Sequence, residues 1–373
     1  MTRRLMVVLG TRPDAIKLAP VIVALRAKPQ CFETIICSTD QHREMLDQAL
    51  TAFGVTPDIR LNVMRPDQTL PDLTVKLISE LTATIADIKP DRLVLQGDTT
   101  TAFAAALSAY YERIPVAHVE AGLRSNDRYS PFPEEVNRRA ISCIADLHFA
   151  PTRGAADALA SEGAPSSSVY VTGNTVVDAL QSFRRALETE KRRSLVSPWI
   201  LEFADDPSPI ILVSCHRRES FGADLSAVCR AVARIAENHR DHRIVFPVHL
   251  NPNVRAQVAA ALGNVANIRL IEPVSYPEML FLLSRAKLAL SDSGGIQEEA
   301  PSFGVPLLVL RKNTERPEAV AAGLSFLVGS DEELIVGRAE ELLKGAPAAR
   351  CAVNPYGDGH AAERIAEILA RTP

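Results

Sequence analysis

The chain has 373 residues, a length typical of two domains. Hydrophobic residues make up 47% of it and charged residues 23%, which allows sizeable cores and argues against wholesale disorder. The formal net charge is −4 with both signs interspersed, so electrostatics gives no reason to expect a nucleic-acid partner.

Cysteine usage and hydropathy indicate the compartment. The six cysteines form no CxxC pair and lack the spacing of a disulfide framework, which favours a reducing cytosol. The apolar run Leu5–Leu9 is too short for a signal-peptide core. No stretch approaches the ~18–20 apolar residues of a membrane span. We therefore expect a cytoplasmic protein that has no membrane partner.

Short apolar runs alternate with helical patterns through the first half of the chain. Runs that predict buried strands lie at 5–9, 34–38, 92–96, 115–119, 147–150 and 168–172. The helical segments between them include 13–27, 41–53, 71–88 and 100–112. This alternation predicts a parallel sheet covered by helices on both faces.

A charged, proline-punctuated stretch at about 178–208 interrupts the pattern, which then starts again. The later apolar runs lie at 210–214, 243–248, 268–272, 288–292 and 306–310. We therefore predict an α/β protein with two Rossmann-like domains facing each other, joined near 175–208. Periodicity alone does not assign the final helical segment, 361–370, to either domain.

Polar motifs follow the apolar runs of the first half, where parallel sheets bind ligands. "GTRPDAIK" (10–17) places Arg12 and Lys17 beside a helix N-terminus, a position that suits binding of a phosphate group. The alternative is that the two residues are a solvated basic pair on an ordinary turn. Asp98 in "QGDTTT" is either an acid–base group or a helix cap. "HVEAGLRSNDRYSPFPEE" (118–135) adds a dense group of acids that includes Glu120 and Glu134.

In the second half, "SDSGGIQEEAP" (291–301) is the clearest nucleotide-binding pattern. Ser293, Gly294 and Gly295 would let the backbone approach a phosphate, and Glu298 or Glu299 would accept bonds from ribose hydroxyls. An ordinary strand-to-helix turn is the alternative. "VSCHRRESFG" (213–222) and "PVHLNPN" (247–253) bring histidines to other strand ends. There is no GxGxxG, Walker or DxD motif, so we expect no dinucleotide cofactor and no metal ion.

Taken together, these motifs resemble the non-hydrolysing UDP-N-acetylglucosamine 2-epimerase family almost from end to end. Further matching stretches include "QHREMLDQ", "SPFPEEVNRR", "TGNTVVDAL", "TERPEAV" and "NPYGDG". The resemblance implies the two-domain glycosyltransferase-B architecture, with domains facing across a cleft and a C-terminal helix crossing back. It implies an N-terminal domain of 1–175 plus 358–373 and a UDP-binding domain of 176–357. Asp14 stands where the family usually has glutamate.

The resemblance also implies a reaction and its residues. Family members invert C2 of a UDP-sugar by eliminating UDP and adding it back to the other face of a glycal, which requires acids but no covalent nucleophile. UDP-N-acetylglucosamine would thus become UDP-N-acetylmannosamine for surface polysaccharide synthesis, without a cofactor. The catalytic residues implied by motif matching are Asp98, Glu120, Glu134 and His216. The implied substrate-binding residues are Arg12, Lys17, Arg138, Ser293, Gly294, Gly295, Glu299 and Arg316.

Other implications concern assembly and regulation. The resemblance implies a homodimer whose ligand is a UDP-sugar. Some members are activated by a second UDP-N-acetylglucosamine molecule, and the matching residues here are Gln41, His42, Arg217 and His249. Asp67 stands where those members can carry arginine, and a carboxylate there would repel a diphosphate, so we expect weak activation or none.

Four other functions remain open from sequence. A retaining glycosyltransferase of the same architecture would share the nucleotide site, and a hydrolysing epimerase would release UDP and free sugar. The substrate could instead be a modified UDP-2-acetamido sugar. A UDP-sugar sensor without catalysis is an alternative of a different class.

Overall fold

A computed structural model of the chain describes residues 2–41, 43–187, 189, 192–215, 222–345 and 354–372. The chain forms two compact units. Unit 1 comprises Met1–Ala179 and Tyr356–Pro373, and unit 2 comprises Leu180–Pro355. Within the described ranges, no helix combines the length and apolar character needed to cross a bilayer.

Unit 1 is built on a seven-stranded sheet whose order is β3-β2-β1-β4-β5-β6-β7. All of its recorded strand pairs are parallel. The strands are β1 (Arg3–Leu9), β2 (Phe32–Ser38), β3 (Ile59–Arg60), β4 (Arg92–Gln96), β5 (Val116–Val119), β6 (Leu147–Ala150) and β7 (Val169–Val171). The strand order reverses between β1 and β4, which makes their carboxyl ends the topological switch point.

Unit 2 is built on a six-stranded sheet whose order is β10-β9-β8-β11-β12-β13. These strands also pair in parallel. They are β8 (Ile210–Ser214), β9 (Arg243–Pro247), β10 (Ile268–Ile271), β11 (Ala286–Ser291), β12 (Leu307–Val309) and β13 (Ser325–Leu327). Here the switch point lies between β8 and β11.

Helices connect the strands in both units. Through β7 they are α1 (Arg12–Arg26), α2 (Arg43–Thr51), α3 (Leu70–Ile88), α4 (Thr100–Tyr111), α5 (Glu134–Ile144) and α6 (Arg153–Ser161). The later helices are α7 (Thr175–Leu187), α8 (Arg192–Leu195), α9 (Pro198–Asp205), α10 (Ala223–Asn238), α11 (Pro252–Leu262), α12 (Tyr276–Arg285), α13 (Gly294–Phe303), α14 (Pro317–Ala321), α15 (Glu332–Lys344) and α16 (Ala361–Arg371).

Alternating strand residues enter cores on opposite faces of the unit 2 sheet. Ile211 and Val213 of β8 pack with α10, α11 and α15, whereas Ile210 and Leu212 pack with α9, α12 and α13. The period-two geometry of a strand explains this division. Both faces of the sheet are therefore covered, which is why the strands read as continuous apolar runs.

The predicted α/β class with parallel sheets is confirmed, and every predicted apolar run overlaps a strand. β3 and β13 were not predicted from sequence; they are edge strands of two and three residues. Strands this short carry no alternating pattern that could separate them from loops. The final helical segment, which periodicity left unassigned, forms α16 and belongs to unit 1.

Asp178 holds the N-terminus of α16. Its carboxylate accepts hydrogen bonds from the backbone N–H groups of Ala361 at 3.2 Å and Ala362 at 2.8 Å. These bonds favour the charged form, but burial outweighs them and raises the pKa of Asp178 to about 6. The contact joins α7 to a helix more than 180 residues later in the chain, so it secures the return of the chain to unit 1.

This raised pKa predicts a pH dependence of stability. A carboxyl group whose pKa is higher in the folded state stabilises the fold fully below its unfolded pKa, near 4, and loses that contribution as pH rises to about 6. We expect the parent protein to lose stability relative to Asp178→Asn over this window, by up to roughly 3 kcal/mol for a shift of about two pH units. Urea unfolding at several pH values measures the difference.

Asp358→Asn is the control for this measurement. Arg364 donates to Asp358 and lowers the pKa of that carboxyl to about 2, so its contribution is constant above about pH 5 and declines only in acid. The stability difference between the parent and Asp358→Asn should stay flat from pH 5 to 7. A flat difference for Asp178→Asn from pH 4 to 6 would contradict the prediction.

Candidate active site

Unit 1 presents its candidate residues at the switch point of its sheet. Arg12 begins α1 directly after β1, and Asp98 follows β4. Glu120 follows β5, the strand beside β4, and the last residues of these strands, Gln96 and Val119, are register partners. Parallel pairing therefore brings Asp98 and Glu120 to the same edge of the sheet, as the sequence analysis expected.

The start of α1 is organised by its own side chains. Thr11 and Asp14 form a capping box, and Asp14 Oδ2 accepts from the N–H groups of Gly10 and Thr11, both at 3.0 Å. Asp14 is fully buried, and desolvation raises its pKa to about 6. The nearby negative charge of Asp98 contributes to this rise. Arg12 is half-buried at the first helical position.

Glu120 forms a buried ion pair with Lys17. The Lys17 ammonium group contacts Glu120 Oε2, and both side chains are less than a tenth exposed. The amide Nδ2 of Asn174 donates to the same oxygen at 3.1 Å. Glu120 also has a φ of 63°, in the left-handed region that non-glycine residues seldom occupy. The structure thus holds this carboxylate tightly, and Lys17, predicted as a phosphate ligand, is already paired with it.

Asp98 is held by Arg138. The guanidinium donates to Asp98 Oδ2 through Nε at 2.9 Å and also through Nη2. Arg138 is buried, whereas about a fifth of the Asp98 side chain is exposed. Asn137 donates to the backbone carbonyl of Asp98 at 2.9 Å, which fixes the loop after β4. Asp98 therefore combines a buried cationic partner with access to solvent.

The two neighbouring glutamates of "FPEE" have different surroundings. Glu135 is fully buried and accepts from Arg138 and Arg139, each at 3.0 Å. It also accepts from the backbone N–H of Ser125 at 2.9 Å. Glu134, the predicted catalytic acid, is half-buried at the first position of α5. Glu135 thus organises the loop before α5 and orients Arg138, a role the sequence analysis did not assign.

His118 is a structural residue. Its ring is completely buried, and Nε2 lies 2.7 Å from the carbonyl oxygen of Gly97. Burial lowers its pKa to about 3, so the ring is neutral over the physiological range and its Nε2–H donates to that carbonyl. A lone histidine at a strand end therefore stabilises the turn that presents Asp98.

In unit 2, the turn after β11 lies against the side chain of Arg316. Its guanidinium lies over Gly294, where an added Cβ would come within 2.8 Å of Cζ. Glu298 Oε1 accepts from Arg316 Nε at 2.6 Å, and Glu315 accepts from Nη1. Glu298 and Glu299 are the two ribose-binding candidates from sequence, and Glu298 is the one that forms an ion pair with Arg316. Glu299 is buried on α13, close to Gly295.

His216, Arg217 and His42 lie outside the described residues. Ser293 precedes α13, and its backbone N–H donates to Ser291 Oγ at 3.0 Å. Of the predicted regulatory residues that are described, Gln41 accepts a hydrogen bond from Thr101 at 3.0 Å, and His249 is exposed.

In the described part of the chain, one group of side chains has ligand atoms spaced for a metal ion: His239, Asp241 and His242, within 4.8 Å of one another. It follows α10, away from the strand ends that carry the candidate residues. His239 Nε2 lies 2.9 Å from Glu340 Oε1, and His242 Nδ1 lies 2.9 Å from Asp241 Oδ1. These nitrogens already have hydrogen-bond partners.

The residues that support the acids were not predicted from sequence. Asn174 contacts Glu120, Asn137 contacts Asp98, and Glu135 contacts Arg138. Asn174 carried one available signal, because it follows the last apolar run of unit 1 within "TGNTVVDAL". No spacing rule connects positions 120 and 174, which only the strand order brings together.

Comparison with known proteins identifies relatives over nearly the whole chain. The family model for UDP-N-acetylglucosamine 2-epimerase matches residues 24–370. The UDP-N-acetylglucosamine 2-epimerase of Escherichia coli strain K12 is 49% identical over 370 residues, covering 98% of this chain and 98% of that protein.

Solved structures give the same result. The Neisseria meningitidis UDP-GlcNAc 2-epimerase, solved bound to UDP-GlcNAc, has a TM-score of 0.95 and 45% identity, covering 99% of this chain and 100% of that chain. The Methanocaldococcus jannaschii enzyme, solved with UDP-GlcNAc and UDP, has a TM-score of 0.86 and 35% identity with the same coverage. The family and enzyme class predicted from the motifs are confirmed. This chain therefore belongs to the UDP-N-acetylglucosamine 2-epimerase family.

Proposed function

We propose that this protein reversibly converts UDP-N-acetylglucosamine to UDP-N-acetylmannosamine by eliminating UDP and adding it back. The observation that carries the mechanism is the pair of carboxylates at adjacent strand ends, each bound to a buried cation. Glu120 is paired with Lys17, and Asp98 with Arg138. This arrangement supplies charged acid–base groups in fixed positions, as general acid–base catalysis requires.

The proposed steps balance without a cofactor. In the elimination, a carboxylate accepts the proton from C2, the C2–H electron pair forms the C1–C2 double bond, and the C1–O pair leaves with UDP. In the return step, a phosphate oxygen of UDP adds to C1 while a carboxylic acid protonates C2 on the opposite face. Asp98, Glu120 and Glu134 are the proposed groups for these transfers. The bonds broken and formed and the proton transferred balance within this scheme without a redox step, so the scheme includes neither a nicotinamide nor a metal ion.

We assign nucleotide binding to the turn after β11 in unit 2. Gly294 permits close approach of the backbone, and the N-terminus of α13 favours an anion. Arg316, held by two carboxylates, adds a fixed positive charge beside this turn. In this proposal Ser293 and Gly295 complete the phosphate turn and Glu299 binds the ribose. Arg12, at the start of α1, is a proposed substrate-binding cation of unit 1, and His216 is a further proposed acid–base group.

We place the enzyme in the cytoplasm, where nucleotide sugars supply surface polysaccharide synthesis, and we propose that it is a homodimer. Exposed apolar side chains on three successive, mutually packed helices of unit 1 support a partner surface: Val75 on α3, Tyr110 and Tyr111 on α4, and Val136 on α5. Such a concentration suits a protein interface.

Incubation with UDP-N-acetylglucosamine alone tests the reaction and separates it from the alternatives. We expect an equilibrium mixture with UDP-N-acetylmannosamine. Free N-acetylmannosamine with UDP would indicate a hydrolysing enzyme. Unchanged substrate would contradict the proposal, and a panel of modified UDP-2-acetamido sugars would then separate an altered substrate from a sensor.

The proton-transfer scheme makes a second prediction. In D2O the product should carry deuterium at C2, with activity retained in EDTA. Asp98→Asn, Glu120→Gln and Glu134→Gln should each lower kcat by about 10²–10⁴-fold, because each removes a titrating group. A double variant should be little worse than the worst single one, since members of one unit are not additive. Product without solvent deuterium would contradict this scheme.

Glu135→Gln is the matched control for Glu134→Gln. Because Glu135 is buried among two arginines and two backbone donors, its amide variant should lose stability. Thermal unfolding should therefore show a larger loss of stability for Glu135→Gln, whose carboxylate is fully buried, than for Glu134→Gln, whose residue is half-buried. If Glu134→Gln keeps parental turnover, this acid has no role in the chemistry.

A pair of glycine variants tests the nucleotide site. Gly294→Ala places a methyl group against the Arg316 guanidinium, so we expect UDP to bind about tenfold more weakly or worse. Gly337→Ala on α15 is the control, because an added Cβ there would meet no atom within 4 Å and Gly337 lies outside the assigned site. Titration calorimetry with UDP measures both. Equal affinities for the two variants would contradict the assigned role of Arg316.

The homodimer is tested by sedimentation velocity. The parent should sediment as a dimer, and Tyr110→Glu combined with Tyr111→Glu should shift it towards monomer because charges oppose burial of this surface. Val23→Glu is the control, since Val23 is a half-exposed apolar residue on α1, outside the three-helix surface. A monomeric parent would contradict the proposed assembly.

A further inference from the structure

Asn174 makes hydrogen bonds through both its side chain and its backbone, from a completely enclosed position after β7. Its side-chain Nδ2 donates to Glu120 Oε2 at 3.1 Å. Its Oδ1 accepts from the backbone N–H of Val176 at 3.1 Å, in the first turn of α7. Its own backbone N–H donates to the carbonyl of Tyr356 at 2.7 Å. Only 2% of the residue is exposed, so water does not compete for these contacts.

The geometry determines how the Asn174 amide must be oriented. Because Oδ1 accepts from an N–H group at the start of α7, the NH₂ group is the end that faces Glu120. Lys17 contacts the same carboxylate oxygen. Two donors from different elements, α1 and the loop after β7, therefore converge on one oxygen and restrict rotation of the carboxylate.

We propose that Asn174 is a positioning residue for Glu120, orienting its carboxylate for proton transfer at C2. This inference rests on the proposed function, in which Glu120 is one of the acid–base groups. Asn174 does not itself exchange a proton, because an amide does not titrate in this range. Its contribution is to hold the carboxylate at one angle and to stabilise its ionised form by hydrogen bonding.

The end of the chain supports this position. Tyr356, which accepts from Asn174, is fully buried and begins the C-terminal part of unit 1. Arg364 of α16 donates to the carbonyl of Thr172 at 3.0 Å. Gly173 and Gly357 approach so closely that a Cβ on Gly357 would lie 3.3 Å from the Cα of Gly173. Residues of the C-terminal segment thus contact and stabilise the loop that carries Asn174.

Two substitutions separate the positioning role from the structural one. Asn174→Asp retains an oxygen that can accept from Val176 but places a carboxylate against Glu120. Asn174→Ser also retains an acceptor for the start of α7, and it removes the donor to Glu120 without adding charge. Asp331→Ser is the control, because it also replaces a helix N-cap residue by serine. Asp331 caps α15 in unit 2, where its side chain accepts from Leu334 N–H at 2.9 Å.

We expect both Asn174 variants to lower kcat about 10- to 100-fold while KM changes little, because the acid is misaligned rather than removed. In Asn174→Asp the acid limb of the pH–kcat profile should move to higher pH by about one unit, since a second negative charge opposes ionisation of Glu120. Asp331→Ser should keep the parental kcat and profile. Parental kcat and profile in both Asn174 variants would overturn the inference.

A double-mutant cycle gives a test that does not depend on turnover. Unfolding free energies are measured for the parent, Asn174→Ser, Glu120→Gln and the double variant. A non-zero coupling energy supports the contact, and strict additivity overturns the inference. If coupling is found in a protein that does not epimerise UDP-N-acetylglucosamine, the proposed function fails while the orientation of Glu120 by Asn174 stands.

Discussion

The buried ion pair between Lys17 and Glu120 constrains the whole of unit 1. Removing two charges from water costs several kcal/mol for each ion, and their attraction offsets this cost only when the geometry is good and further hydrogen bonds are made. α1 must therefore present Lys17 at one position relative to the end of β5, and Asn174 must supply the additional donor. The left-handed backbone conformation of Glu120 is a second energetic cost at the same residue.

A similar pattern occurs at the neighbouring strand β4, where Asp98 and Glu135 bind two arginines. Arg138 binds Asp98 on one side and Glu135 on the other, and Arg139 also binds Glu135. In unit 2, Arg316 lies between Glu298 and Glu315. Each cation is thus fixed by a fully buried carboxylate. Fixed charges of this kind need no reorganisation during a reaction, which is the condition for effective electrostatic stabilisation.

The sequence predicted the strands and the positions of the acids because both depend on local pattern. A buried parallel strand reads as an apolar run, and the residue after it lies at the sheet edge whichever strands are its neighbours. Asp98, Glu120 and the glycines at 294–295 were found in this way. The partners of these residues depend on strand order and helix register, which no local pattern records. Hence the contact of Lys17 with Glu120 was not predicted, and Asn174 and Glu135 received no role.

Unit 1 is built from two segments at opposite ends of the chain, which affects how the chain folds during synthesis. The last helix, α16, packs on α1, and Arg3 donates to the carbonyls of Leu369 and Thr372. Unit 1 therefore lacks part of its core until unit 2, residues Leu180–Pro355, has been translated. At the usual ribosomal rates of about 5–20 residues per second, this interval lasts roughly 10–35 s. During that time the face of α1 that α16 covers is exposed, so the first unit to emerge is the last to be completed.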